Sequence, residues 1–149
     1  MASAGSSKRS LPEKLGLKPV HRTAILNAPE GYLITLGQPP TSVQLLTGRA
    51  ERFDFIQLFS RAREDLERDF AKVRPRLRSD GMLWVSWPKQ SSPLAGDLTE
   101  NVVREIGLSS GMVDVKVVAI DQDWSGLKFV YRLVDRPKQV GARPDGIQR

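Results

Sequence analysis

A nearly unbroken apolar run, Met82-Leu-Trp-Val-Ser-Trp87, lies between Gly81 and the exit Pro88-Lys89, and it constrains the fold more than any other stretch of the chain. Successive side chains of a strand point to opposite faces, so Trp84 and Trp87, three positions apart, must be covered from both sides. Strands buried on both faces belong to sheets with helices packed above and below, the α/β arrangement. Residues 81–89 are therefore read as the central strand of such a sheet.

The flanks supply the remaining elements. A short helical turn at 15–19, stopped by Pro19, precedes a first strand at 22–27. That strand runs into a short helix at 28–37, with Asn27 or Ala28 as cap, Pro29 at the first helical position and Gly37 as stop. A second strand follows at 43–46, then a polar turn to residue 52. Phe53–Phe59 is the third strand, and Ser60 caps a helix whose Ala62, Leu66, Phe70, Val73 and Leu77 make one buried stripe. The outer face of that helix mixes Arg63, Glu64, Asp65, Glu67, Arg68 and Asp69. Lys72, Arg74, Arg76 and Arg78 gather where the helix dipole favours cations. Pro75 ends or bends the helix, and Ser79-Asp80-Gly81 turns the chain into the central strand. Asp97 and Glu100 have capping-box spacing for a helix to Leu108 that buries Leu98, Val102 and Ile106. Strands at 113–120 and 127–133, joined by a turn at 121–126, form an antiparallel hairpin. The expected fold is α/β: a Rossmann-like three-layer sandwich whose mostly parallel sheet of about six strands ends in that hairpin.

Charge separates the ends from the middle. The chain of 149 residues has a net charge of +6. Lys8, Arg9, Lys14 and Lys18 against Glu13 give residues 1–19 a charge of +3, and Arg136, Lys138, Arg143 and Arg149 against Asp145 give 136–149 another +3, so the middle is neutral. Both ends are rich in Ser, Gly and Pro, a composition that does not repay the entropy of ordering. The organisation expected is a disordered basic tail at 1–12, one domain at 13–135 and a second disordered basic tail at 136–149. Such tails attract polyanions weakly and without sequence preference. Cysteine is absent and His21 is the only histidine, which excludes disulfides, Cys-rich zinc sites and thiol nucleophiles. No apolar run approaches the roughly 20 residues that cross a bilayer, and Lys8-Arg9 is not followed by an apolar signal segment. A cytoplasmic protein without a membrane partner is the expectation.

Two resemblances follow from these residues. The Phe-Asp-Phe strand, the Gly-Met-Leu-Trp-Val strand after a helix, the second helix and the final hairpin resemble the C-terminal half of an S-adenosylmethionine-dependent methyltransferase, over about residues 53–133. More specifically, Lys14-Leu-Gly-Leu-Lys18, Leu26-Asn-Ala-Pro-Glu-Gly-Tyr32, Phe53–Phe59, Met82 to Lys89, Glu100-Asn-Val-Val-Arg-Glu-Ile-Gly107 and Trp124-Ser-Gly-Leu-Lys-Phe-Val130 resemble a family of small bacterial proteins of unknown function. That resemblance implies a truncated, methyltransferase-like Rossmann core and brings no catalytic residues with it.

Nucleotide-binding sheets of this kind use a glycine-rich first loop and an acid after the second strand. Here the first loop, residues 27–32, has only Gly31, and Glu51 lies well beyond the second strand. No cofactor motif is intact, although the crevice outside the first and third strands still suits S-adenosylmethionine or a nucleotide in principle. It would group Asn27, Glu30, Gly31, Tyr32, Ser60 and Arg61 with Trp87, Lys89 and Ser91, with Glu30 and Lys89 as polar anchors and Trp87 as a stacking wall. The structural alternative makes Glu30 a first-turn acid, Trp87 core and Lys89 a solvated cation. His21 precedes the first strand and so lies at the opposite end of the sheet, and Asp121 and Asp123 suit turn chemistry, which leaves no catalytic residue to name. No metal site is expected.

Three functions remain. The chain is read first as a non-enzymatic binding or interaction module, with Trp124 or the edge of the second strand meeting a protein partner. The alternatives are a divergent methyltransferase-like enzyme that binds a nucleotide-type ligand, and weak nucleic-acid binding through the basic tails.

Overall fold

The computed structural model describes residues 9–36, 43–44 and 52–132. Its elements in chain order are α1 (Leu11–Leu15), β1 (Thr23–Leu26), α2 (Tyr32–Leu36), β2 (Val43–Gln44), β3 (Phe53–Phe59), α3 (Arg63–Val73), β4 (Leu77–Pro88), α4 (Glu100–Ser109), β5 (Met112–Ala119) and β6 (Trp124–Tyr131). Among the described residues they build a six-stranded sheet in the order β2-β1-β3-β4-β6-β5. β1, β2, β3 and β4 pair in parallel, and β6 runs antiparallel to both β4 and β5. Residues 1–8, residues 133–149, Gly37 and residues 45–46 of the second strand lie outside the described residues, whereas residues 10–12 of the expected N-terminal tail are described as the cap and start of α1.

Alternation along the two central strands divides the apolar residues between two cores. Ile56 and Leu58 of β3 and Leu83, Val85 and Trp87 of β4 pack with Leu66, Phe70 and Val73 of α3 and with Val103 and Ile106 of α4. Phe55, Phe59 and Trp84 pack on the other face with Leu15 of α1 and with Tyr32 and Leu36 of α2. Burying one such side chain stabilises by roughly 1.5–3 kcal/mol, so each face gives its helices a strong reason to dock. Trp84 and Trp87 do fall on opposite faces. Trp84 also donates its indole N–H to Leu15 O at 2.9 Å, which ties the N-terminal helix to the centre of the sheet.

Several boundaries move for local reasons. α1 begins four residues before the expected turn, because Ser10 and Glu13 form a reciprocal capping box, and Gly16 at φ 78° ends it. α2 starts at Tyr32, not Pro29: Asn27 takes a left-handed φ of 60°, and residues 29–32 form a turn closed by Tyr32 N–H to Pro29 O at 3.0 Å. β4 starts at Leu77, so that residue belongs to the sheet and not to the stripe of α3. Ser79-Asp80-Gly81 is an irregularity inside the strand, where the register with β3 jumps from Phe53↔Leu77 to Phe55↔Met82. A Cβ on Gly81 would lie 2.9 Å from Asp54 O, so only glycine lets the two backbones meet there. Pro75 sits in a 3-10 turn, Arg74–Arg76, that ends α3. Arg74 is the C-cap of α3, its backbone N–H donating to Phe70 O, and its guanidinium lies over the ring of Tyr131; Arg76 lies over that of Phe53, and Arg78 pairs with Asp54 at 3.3 Å.

Candidate functional site

The parallel connections run from β1 outward to β2 on one side and inward to β3 on the other, which puts the reversal of strand order between β1 and β3. Eight residues, 45–52, separate β2 from β3, and among the described residues α3 has no neighbouring helix over β1. A cleft of about 660 Å³ opens along that flank, within the size range of small-molecule sites.

Its floor is the exit of two strands. Asn27 ends β1, and its left-handed backbone aims the side-chain amide across the sheet, where Nδ2 donates to Phe59 O at 3.3 Å and to Asp69 Oδ2 at 3.2 Å. Asn is one of the few residues other than glycine that adopts this conformation at small cost. Ser60 follows β3 and is 5% exposed, and its Oγ has no hydrogen-bond partner among the described residues. One wall is α3, which contributes Asp65, Arg68, Asp69 and Lys72. The opposite wall is apolar and consists of Pro29, Leu94, Phe59 and Trp124. Trp124 is held edge-on to Phe59 at 5.1 Å, and Phe59 edge-on to Tyr32 at 4.8 Å.

The wall of α3 is internally balanced except at its two ends. Arg68 reaches Asp65 Oδ1 at 3.1 Å and Asp69 Oδ1 at 3.2 Å, and these two carboxylates hold its guanidinium above the ordinary arginine range. Arg61 and Lys72 are exposed, line the cleft and have no ion pair among the described residues. The cleft therefore presents two unbalanced cations.

Of the residues singled out from sequence, Asn27, Ser60 and Arg61 come together here. The others do not line the cleft. Glu30 and Gly31 are exposed on the preceding turn. Tyr32 is 3% exposed and points into the core, where its hydroxyl donates to Gln57 Oε1 at 2.7 Å and Gln57 Nε2 donates to Ser86 Oγ at 3.1 Å. Burial pushes the Tyr32 phenol up, so it stays a donor. Trp87 is 4% exposed within the core under α3 and α4, so it is no stacking wall; the pairing of Pro88 with Trp124 extends β6 over the strand exit. Lys89 donates its backbone N–H to Asp123 O at 2.8 Å, and Ser91 is exposed on the next loop. Trp124, expected on the surface for a partner, is 6% exposed and part of the core. His21 sits at the amino end of β1, away from the cleft, and its Nδ1 accepts from Lys18 N–H at 3.1 Å. Asp121 Oδ1 accepts from the N–H groups of Asp123 and Trp124, which is turn chemistry.

Sequence reasoning missed Asp69, Lys72 and Leu94. Asp69 was placed on the outer face of the helix yet is 6% exposed. Its spacing carried the signal, since it lies three residues after Leu66 and four before Val73. Among the described residues no group of three or more His, Asp or Glu is placed to hold a metal ion, and no helix is long and apolar enough to cross a membrane.

The residues present do not fit S-adenosylmethionine well. Its sulfonium and ammonium outweigh its carboxylate, whereas the free charges of the cleft are positive. The reversal point, where a glycine-rich loop would bring backbone N–H groups to a ligand, is instead bridged by the Asn27 side chain.

Comparison with solved structures agrees on the fold. A putative type 11 methyltransferase from Sulfolobus solfataricus is similar to this chain with a TM-score of 0.55 and 18% identity, over 82% of this chain and 89% of that one. LepI in complex with SAM gives a TM-score of 0.50 at 10% identity, over 82% and 39% respectively. Magnesium protoporphyrin IX methyltransferase from Synechocystis with bound SAH gives 0.48 at 14%, over 64% of this chain and 52% of that one, so the chain spans about half of that enzyme. At these identities the likeness is one of fold: the chain has a methyltransferase-like α/β core. No curated protein matches the chain significantly. The profile of a family described as "Protein of unknown function (DUF3052)" matches residues 43–133, well over half of the chain, and the chain belongs to that family.

Proposed function

We propose that this protein is a ligand-binding module that uses the cleft beside α3 and does not transfer methyl groups. The observation that carries this reading is the cleft itself: a concave site at the strand-order reversal, with Ser60 Oγ buried at its floor without a partner among the described residues and Asn27 where a cofactor loop would approach. A buried hydroxyl without a partner costs about 1–3 kcal/mol, a cost that a bound acceptor or donor removes. Arg61, Asn27 and Ser60 are the binding residues in this reading, joined by Lys72. A cytoplasmic setting belongs to the same reading, and the absence of cysteine fits it.

Thermal unfolding of the full chain with saturating S-adenosylmethionine, S-adenosylhomocysteine and a panel of nucleotides tests it. A ligand at 100 times its dissociation constant stabilises by roughly 2.7 kcal/mol. Stabilisation by a nucleotide and none by the methyl donor is expected; the reverse pattern would revive the second reading, a divergent methyltransferase, which the fold and the position of the cleft favour. A protein partner at the open edge of β2 and nucleic-acid contacts through residues 1–12 and 137–149 are the remaining roles. Deleting residues 1–8 and 137–149, which spares the cap and first turn of α1, should remove any salt-sensitive nucleic-acid binding, and retained affinity would exclude those ends as its source.

A further inference from the structure

The charges of the cleft also define a ligand class, and we infer that it takes a small organic phosphate of the nucleotide type, its phosphates held by Arg61 and Lys72 and met by the hydroxyl of Ser60. This inference rests on the binding role proposed above. Two carboxylates line the cleft, and both are occupied: Asp65 by Arg68 at 3.1 Å, and Asp69 by Arg68 at 3.2 Å and by Asn27 at 3.2 Å. What remains is Arg61 at one end and Lys72 at the other, neither with an ion pair among the described residues. Cations on the rim of a concave site act through a lower effective dielectric than on an open surface, and they concentrate anions there.

Dimensions narrow the class. At about 660 Å³ the cleft exceeds one phosphate and admits a phosphate joined to a second group. The facing wall of Pro29, Leu94 and Trp124 has no charge to offer and accommodates a ring or an apolar moiety. Ser60 Oγ, 95% buried, is a polar atom of the cleft that the described residues leave without a partner. A guanidinium, an ammonium and a hydroxyl are also the side chains best suited to phosphate oxygens.

Calorimetric titration of the full chain with ADP, pyrophosphate and adenosine tests the inference. ADP and pyrophosphate should bind, and adenosine at least tenfold more weakly. The double variant Arg61→Ala, Lys72→Ala should weaken ADP at least tenfold with an unchanged melting temperature, whereas Lys116→Ala, on the distant edge strand β5, should leave ADP affinity unchanged. Adenosine binding as tightly as ADP would overturn the phosphate assignment and leave the binding role standing. ADP affinity undiminished in the double variant would move the anion site to the basic termini and also overturn it. No heat or stabilisation with any of the three probes would overturn the inference outright, and the separate panel that includes S-adenosylmethionine then decides the binding role.

Discussion

Ser60 and Trp84 show how single buried polar atoms carry opposite meanings. The indole N–H of Trp84 has its partner, Leu15 O, deep in the core. Trp84→Phe leaves that carbonyl unsatisfied and opens space, and denaturant unfolding should show a loss of roughly 2–4 kcal/mol. Ser60 Oγ has no partner among the described residues. Ser60→Ala should therefore leave unliganded stability unchanged or raise it by about 1 kcal/mol, while it weakens ADP. A loss of stability above about 1 kcal/mol in that variant would mean that the hydroxyl is structurally bonded. Residue-scale expectations from sequence failed where a side chain has two suitable uses. Asp97 and Thr99 are both good N-caps; Thr99 caps α4 by accepting from Val102 N–H at 3.2 Å, and Asp97 instead accepts from Arg63 N–H at 2.8 Å, at the start of α3. A tertiary contact 34 residues away decided between them, and no local pattern records it.

At the scale of elements, α4 docks through a glycine. A Cβ on Gly107 would lie 2.0 Å from the ring of Phe129. Gly107→Ala gains up to about 1 kcal/mol of helix propensity, but the overpacking costs typically 1–3 kcal/mol, so a net destabilisation should appear in thermal unfolding. Phe129 is itself edge-on to Phe70 of α3 at 5.8 Å, so the ring has little room to yield. Elements with strong periodicity were legible: β3 keeps its expected bounds, and the stripe Leu66, Phe70, Val73 is buried as a unit. The hairpin strands were legible too, with β6 beginning three residues early because Trp124 already pairs with Pro88. The β4 irregularity was not, since Ser-Asp-Gly has the same composition in a turn and in a bulge. Buried Asp69 was hidden for a similar reason: an acid among other charged residues reads as surface until the Asn27 amide is placed against it.

For the whole molecule, two buried phenols set an alkaline limit. Burial is the main cause that pushes up both Tyr32 and Tyr131, whose hydroxyls donate to Gln57 Oε1 and to the carbonyl oxygens of Arg74 and Leu77. A folded-state value above the unfolded one, near 10, means that the proton favours the native state. This contribution is fully present below about pH 10 and is lost progressively as pH rises from there. Unfolding measured from pH 8 to 11 should show stability level at first and falling beyond pH 10, with a shallower fall in Tyr32→Phe.

The sheet order was legible at this scale because apolar strands and helical stripes alternate along the chain. The cleft was legible only as a position, because its walls come from α3, the Pro29 turn and the Leu94 loop, which meet only once the chain is folded. The most direct test of the account is an amide NMR titration of the full chain with ADP and, separately, with S-adenosylmethionine. Shifts on ADP should concentrate at Asn27, Ser60, Arg61, Asp69 and Lys72, with none from the methyl donor at the same concentration. Equal shifts of that set by S-adenosylmethionine, or ADP shifts confined to residues 1–8 and 133–149, would contradict it.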